Sequence, residues 1–332
     1  MGHMETGRLN AITDVEGVGI GHSTLIEGDS VRTGVTAVMP CKGNVFEEKV
    51  VAAVDLFNAY GKATGLPQVI FEGVIETPIM LTETLNTWRV ADAVVDYHRE
   101  RLGIEPRSLN VVAGETWGGY LTDNLGRHVG REQVFEALDI ARSPAGRGKV
   151  AEGNVGGGTP MTGYGFKGGI GTSSRLGDGF TVGVLVQLNC GLKEDLTIAG
   201  VPLGWEVKLP KNPEASPGNS IMIIVATDLT VESRQLWKVA KRAAIGLART
   251  GTYGTNGSGD FTIAFTTGNK PHEGKGDEFL NPVYKATVEA TEEAIVNALF
   301  AAETMKGYKG HIRYALPLDQ VEAIMRKYGR AE

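Results

Sequence analysis

Apolar positions along the chain recur with two different periods. From Thr87 to Arg101 and from Arg131 to Arg142 they return every three or four residues, which predicts a helix in each stretch with one buried face. Val50 to Ala59 shows the same spacing and is also predicted as a helix. Glu232 to Arg249 predicts a strongly amphipathic helix, and a further long helix is predicted over Val283 to Met305. Other apolar runs are short and rich in β-branched residues. Phe180 to Leu188 and Ser220 to Thr227 read as buried strands, Ser108 to Ala113 as another, and Phe261 to Thr267 as a strand with Phe261, Ile263 and Phe265 on one face. Between Asn10 and Val38, short apolar runs are broken by Gly, Asp and Thr, the pattern of short strands joined by tight turns. Strands too apolar to be half exposed, interspersed with helices, predict an α/β protein with sheets covered by helices.

Glycine changes this picture. The 46 glycines are clustered rather than periodic, so neither a collagen nor a solenoid repeat fits them. Such clusters mark turns with positive φ, or places where backbone approaches something closely. The densest runs from Gly153 to Gly171 and contains Gly156-Gly157-Gly158-Thr159. Within it, Gly163-Tyr-Gly165-Phe-Lys-Gly168 has the dinucleotide spacing but does not sit between a strand and a helix, so it is weak. Gly274-Lys275 lacks the following Ser or Thr of a phosphate loop. Leu209 to Asn219, with little apolar content, is predicted as an exposed loop.

With 332 residues, 42% of them hydrophobic and 22% charged, the chain can bury a sizeable core in one large domain or two tightly joined ones. A net charge of −6 gives no basic footprint for nucleic acid, and no stretch is apolar enough to span a bilayer as a helix. Cys41 and Cys190 fit neither a disulfide framework nor a zinc site, which predicts reduced cysteines in a cytoplasmic protein. Six scattered histidines form no ligand pair, and no metal or cofactor is expected. Met1-Gly2-His3-Met4 reads as a cloning remnant, and residues 1–7 are expected to be disordered.

The sharpest chemical signal is Gly254-Thr-Asn-Gly257-Ser258-Gly-Asp260, set between a predicted helix and a predicted strand. Read locally it is a tight turn, since Asn-Gly is a preferred turn dipeptide. Read chemically, Gly257 leaves the carbonyl ahead of Ser258 open to attack by the Ser258 hydroxyl. Cleavage there would give Ser258 a free α-amine of unperturbed pKa about 8, able to act as base for its own hydroxyl. No catalytic histidine is then needed. Ser258 does not fit GxSxG, because Asn256 stands where the first glycine belongs, which counts against an α/β-hydrolase.

The chain resembles the DmpA-type aminopeptidases, which include L-aminopeptidase/D-amidase-esterases and β-aminopeptidases and are also called the P1 family of serine peptidases. The matching text comprises Asn10 to Val18, Val31 to Val38, Glu115-Thr-Trp-Gly-Gly-Tyr120, Ala151 to Thr159, Gly165 to Thr172 and Val182 to Asn189. It continues through Gly246 to Gly251, Asn256-Gly-Ser-Gly-Asp260 and Ala290 to Ala298, so that it covers nearly the whole chain from residue 8. The resemblance implies a four-layer αββα sandwich of the N-terminal-nucleophile-like type shared with ornithine acetyltransferase. It implies one domain over 8–332, cut at Gly257 and Ser258 into subunits 1–257 and 258–332 that stay associated. A homo-oligomer, with four copies as the candidate, is implied as well.

By the same resemblance Ser258 is the nucleophile and Asn189 the side chain that stabilises the oxyanion, for which an amide NH2 is a suitable donor. Glu115 would hold the substrate's free amino group, a carboxylate pairing with an ammonium. Tyr120 would stand near the scissile carbonyl as a second oxyanion donor. Thr291 and Glu293 match the family's hydroxyl and glutamate near the nucleophile, although residues two apart on a regular helix point to opposite sides. Without the resemblance, Asn189 reads as a strand-ending Asn, Glu115 as a loop carboxylate and Tyr120 as a core aromatic. The expected activity is release of N-terminal residues from small peptides, aminoacyl amides or esters. An acyltransferase of the ornithine acetyltransferase type and a non-catalytic glycine-loop binding protein are the alternatives; Ser258, where the former commonly has threonine, counts against the first.

Overall fold

The computed structural model describes residues 1–210, 219–268 and 276–331. The predicted loop at 209–219 falls mostly outside the described residues, and Gly274-Lys275 falls wholly outside them.

Two sheets form the middle of the molecule. The first has strands β1 (Gly19–Glu27), β2 (Val31–Met39), β6 (Ile79–Glu83), β7 (Val112–Thr116) and β4 (Ala63–Thr64), in that order. The second runs β10 (Gly169–Gly177), β11 (Phe180–Asn189), β12 (Ser220–Thr227), β13 (Gly259–Thr266), β3 (Val50–Ala59) and β5 (Val74–Ile75). A separate hairpin pairs β8 (Thr162–Gly163) with β9 (Phe166–Lys167). Each main sheet contains one parallel pair, β6 with β7 and β12 with β13. Parallel neighbours need a crossover. Helix α3 (Thr87–Leu102) supplies it in the first sheet and α6 (Ser233–Arg249) in the second. Together with α4 (Arg131–Arg142) and α7 (Asn281–Phe300) these are the long helices. The shorter ones are α1 (Val45–Glu48), α2 (Leu66–Glu72), α5 (Leu203–Glu206) and α8 (Leu318–Lys327).

Helices α3 and α4 pack on the five-stranded sheet, and α6 and α7 on the six-stranded one, which gives four layers in the order αββα. Strand β12 shows why its sequence is apolar throughout. Met222, Ile224 and Ala226 join the core shared with the other sheet, whereas Ile221, Ile223 and Val225 join the core under α6 and α7. Both faces are covered, so the strand reads as one continuous apolar run.

The same effect explains a departure from expectation. Val50 to Ala59 is strand β3, not a helix, antiparallel to β13. Ala52 and Val54 face one core and Ala53 the other, and an apolar run covered on both sides mimics helical spacing. The strand expected at 108–113 begins only at Val112 and continues to Thr116. The helix expected to reach Met305 ends at Phe300.

The first seven residues are tied down rather than disordered. Met4 N and His3 N donate to Glu289 Oε2, each at 3.0 Å, Gly7 N donates to Ser174 Oγ at 3.0 Å, and Leu176 N donates to the Glu5 carbonyl at 2.8 Å. The glycine-rich stretch is wedged between the sheets. A Cβ at Gly157 would fall 2.1 Å from Gln187 Oε1 and 2.6 Å from the Leu81 carbonyl oxygen, contacts that only glycine avoids.

Candidate active site

Strands β11 and β3 end, and β12 and β13 begin, along one edge of the six-stranded sheet, since Asn189 pairs with Ser220, Ile221 with Asp260 and Gly259 with Ala59. Ser258 lies one residue ahead of β13 and is 2% exposed. The turn before it is closed by Ser258 N donating to the Thr255 carbonyl at 3.1 Å. Gly257 has φ +90°, in the left-handed region, and the space where a side chain would stand is open. The backbone, not crowding, calls for glycine there.

The Ser258 hydroxyl lies between two acceptors, the Asn219 carbonyl and Asp260 Oδ1, the latter at 2.6 Å. One proton serves only one of them at a time. Asp260 Oδ2 accepts from Asn58 Nδ2 at 3.1 Å, and burial pushes the Asp260 carboxyl above the ordinary range. Asp260 carries no role in the sequence reading. The available signal was its spacing, because residues two apart at a strand share a face. Gly259 N donates to Ser220 Oγ at 3.0 Å, and Tyr60 N donates to the Ser258 carbonyl at 3.2 Å, so the backbone on both sides of the hydroxyl is held.

Glu115 reaches the same place from the other sheet. A Cβ built on Gly61 would stand 3.1 Å from Gly259 Cα, 3.1 Å from the Phe261 ring and 3.4 Å from Glu115 Oε1, so Gly61 packs against both the carboxylate and the residue after Ser258. Glu115 is 2% exposed; its Oε1 accepts from Lys62 N at 2.8 Å and its Oε2 from Thr84 Oγ1. Burial raises its carboxyl. Glu83, on the adjoining strand, is pushed up to about 8 by burial and then by Glu115. A neutral Glu83 spares Glu115 a second negative charge at neutral pH.

Asn189 ends β11 and is held at both ends of its amide. Oδ1 accepts from Thr162 N at 2.7 Å, and Nδ2 donates to the Trp117 carbonyl at 2.9 Å. Thr162 is in turn paired with Lys167, a fully buried lysine whose Nζ donates to the carbonyls of Gly158 at 3.2 Å and Gly168 at 2.7 Å, and which burial pushes down to about 7. Thus the glycine-rich stretch positions Asn189. Tyr120 follows Trp117 in the same loop. Its ring stacks on His311 at 4.3 Å, with the Arg313 guanidinium 3.7 Å from its centroid. Among the described residues no hydrogen bond joins its hydroxyl to Ser258.

Among the described residues no hydrogen bond or ion pair joins Thr291 or Glu293 to Ser258, and the two diverge around α7. Thr291 is fully buried where α6 and α7 touch, beside Gly246, and among the described residues its hydroxyl has no hydrogen-bond partner. Glu293 accepts from Asn10 Nδ2 at 2.6 Å and pairs with the guanidinium of the buried Arg175. Helical geometry turns residues two apart to opposite sides, and here both sides are occupied by structural contacts. Among the described residues there is no group of three or more His, Cys, Asp or Glu that could hold a metal, and no helix long and apolar enough to cross a membrane.

Residues 10–313 match the model of Peptidase family S58. The chain is 40% identical to the β-peptidyl aminopeptidase BapA of Sphingosinicella microcystinivorans, over 98% of this chain and 89% of that one. Among solved structures it superposes with a TM-score of 0.91 on the PH0078 protein of Pyrococcus horikoshii OT3, at 45% identity, covering 99% of this chain and 97% of that one. It superposes with a TM-score of 0.90 and 39% identity, over 99% and 97% of the two chains, on the L-aminopeptidase D-Ala-esterase/amidase of Ochrobactrum anthropi. That protein is described as a prototype for the serine aminopeptidases and a variant of the Ntn hydrolase fold.

Proposed function

The chain belongs to peptidase family S58 and is an aminopeptidase or amidase of the N-terminal-nucleophile type; from that premise we propose that Ser258 acts twice, first on its own chain and then on substrate. In the first reaction its hydroxyl attacks the Gly257 carbonyl and the chain separates into 1–257 and 258–332. In the second, the new α-amine of Ser258, of pKa about 8 when unperturbed, draws the proton from the hydroxyl as it attacks the substrate carbonyl. Glu115 holds the substrate's ammonium, and the Asn189 amide stabilises the oxyanion, with the Tyr120 hydroxyl as second donor. Water then releases the acyl group. Thr291 and Glu293 are left out of this machinery because their contacts lie elsewhere.

The observation that carries this reading is the meeting of Glu115 and the Ser258 turn across Gly61. An ammonium held at Glu115 would direct the carbonyl of that same N-terminal residue toward the hydroxyl, as release of a single N-terminal residue requires. Ser258 at 2%, Glu115 at 2% and Asn189 at 1% exposure are all buried side chains. The relatives' names span β-peptidyl, L-aminoacyl and D-Ala substrates, and the substrate class proposed here is small peptides and aminoacyl amides or esters of those kinds. A homo-oligomer in the cytoplasm completes the reading. A panel of L-, D- and β-aminoacyl p-nitroanilides, each with its N-acetylated counterpart, tests it. Release of p-nitroaniline only from free amines is expected. Equal hydrolysis of acetylated substrates would overturn the role of Glu115.

A further inference from the structure

We infer that Asp260 is the base that starts self-cleavage, taking the proton of the Ser258 hydroxyl as that oxygen attacks the Gly257 carbonyl carbon. This rests on the self-cleaving reading above and concerns a step which that reading leaves without a base. Before the chain is cut the nitrogen of Ser258 is an amide, with no basic lone pair, and its N–H is engaged by the Thr255 carbonyl. The α-amine that serves turnover does not yet exist. Among the described residues two groups hydrogen-bond with Oγ, the Asn219 carbonyl and the Asp260 carboxyl, the latter at 2.6 Å. A peptide carbonyl is no base at neutral pH, whereas a carboxylate at this distance is within reach of the proton. Ser258 and Asp260 are 2% and 4% exposed, so the hydroxyl and the carboxyl are buried side by side.

The surroundings of Asp260 suit it to the task. Its partners are neutral donors, the Asn58 amide and the Ile221 backbone, and among the described residues no Lys or Arg pairs with it. A carboxylate without a cation keeps more of its basicity than one in an ion pair. The step balances as an acyl shift. The bond from Oγ to the Gly257 carbon forms, the bond from that carbon to the Ser258 nitrogen breaks, and the proton that Asp260 took from Oγ passes to the nitrogen as it leaves, which restores the carboxylate. Water then hydrolyses the ester, which restores the hydroxyl and leaves a carboxylate on Gly257. One hydroxyl therefore has two bases in succession, Asp260 for maturation and its own α-amine afterwards.

The test follows the intact mass of freshly made full-length wild type, Ser258→Ala, Asp260→Asn and Asp260→Glu over time, with melting temperatures on the same samples. Folded Asp260→Asn is expected to mature about 100-fold or more slowly than wild type, and Asp260→Glu faster than Asp260→Asn. Hydroxylamine, which cleaves esters, should not hasten Asp260→Asn, because the ester does not form. Asp260→Ala carries the same test where the Asn variant does not fold. Maturation of Asp260→Asn within a few-fold of wild type, or its rescue by hydroxylamine, overturns the inference. A wild type that never cuts itself would instead overturn the self-cleaving reading.

Discussion

Asp260, just after the turn that carries Ser258, and Glu293, in the middle of α7, are both carboxylates beside the six-stranded sheet, yet their partners differ in kind. Glu293 is held by the guanidinium of Arg175, a side chain with no exposure, and by Asn10. Asp260 is held by a hydroxyl, an amide and a backbone N–H. The guanidinium makes Glu293 a clamp that fastens α7 to β10 and to the start of the chain. The neutral donors leave Asp260 free to accept a proton. Which acid does chemistry is thus set by what it is paired with, not by how near it lies to a motif.

The largest effect expected from this contrast is on stability. Arg175→Met removes the buried guanidinium shared by Glu289 and Glu293, leaves them only the more distant ammonium groups of Lys285 at 3.8 Å and Met1 at 3.9 Å, and should cost about 3–5 kcal/mol, the usual range for breaking a buried pair from one side. Hydrolysis per folded molecule should stay within about threefold of wild type. Denaturant titration with parallel rate assays checks both, and an unchanged midpoint with lost activity would move Glu293 back to the active site.

Glu115→Gln should act in the opposite way. It leaves folding largely intact and lowers kcat/KM for free-amine substrates about 100-fold, equivalent to about 2.7 kcal/mol. The pH dependence sharpens this. Burial raises the Glu115 carboxyl, so its hold on an ammonium is complete above that raised value and is lost as pH falls through it. On the alkaline side the substrate amine loses its proton, and Glu83, pushed up to about 8, begins to ionise. Glu115→Gln should flatten the acid limb of kcat/KM, and an acid limb that persists would assign it to another group. The smallest effect belongs to Thr291→Val. Removing a buried hydroxyl that has no partner among the described residues should be neutral or stabilising by up to about 1 kcal/mol, with rates unchanged. More than a tenfold loss of hydrolysis would return Thr291 to the site.

Much of the fold was legible along the chain because local pattern and final burial agree. Arg131–Arg142 and Ser220–Thr227 have the bounds that periodicity predicts. Val50–Ala59 was not legible, since a strand covered on both faces carries no alternation to read. At the site, Ser258 and Glu115 were named from the chain, but their meeting depends on Gly61, a residue with no motif of its own. Glu293 shows the converse, because nothing local announces that Arg175, more than a hundred residues earlier, will claim it. Lys167 was hidden for a similar reason, as its unusual burial arises only when the glycine-rich stretch is wedged between the sheets.

The central claim is that Ser258 becomes a chain terminus and draws its base from that event. The most direct measurement follows fragment 258–332 by intact mass in freshly made protein while hydrolysis of an aminoacyl p-nitroanilide is recorded on the same samples. Activity should rise in step with the fragment and be absent, together with it, in Ser258→Ala. Full activity from a chain that remains whole would contradict the account.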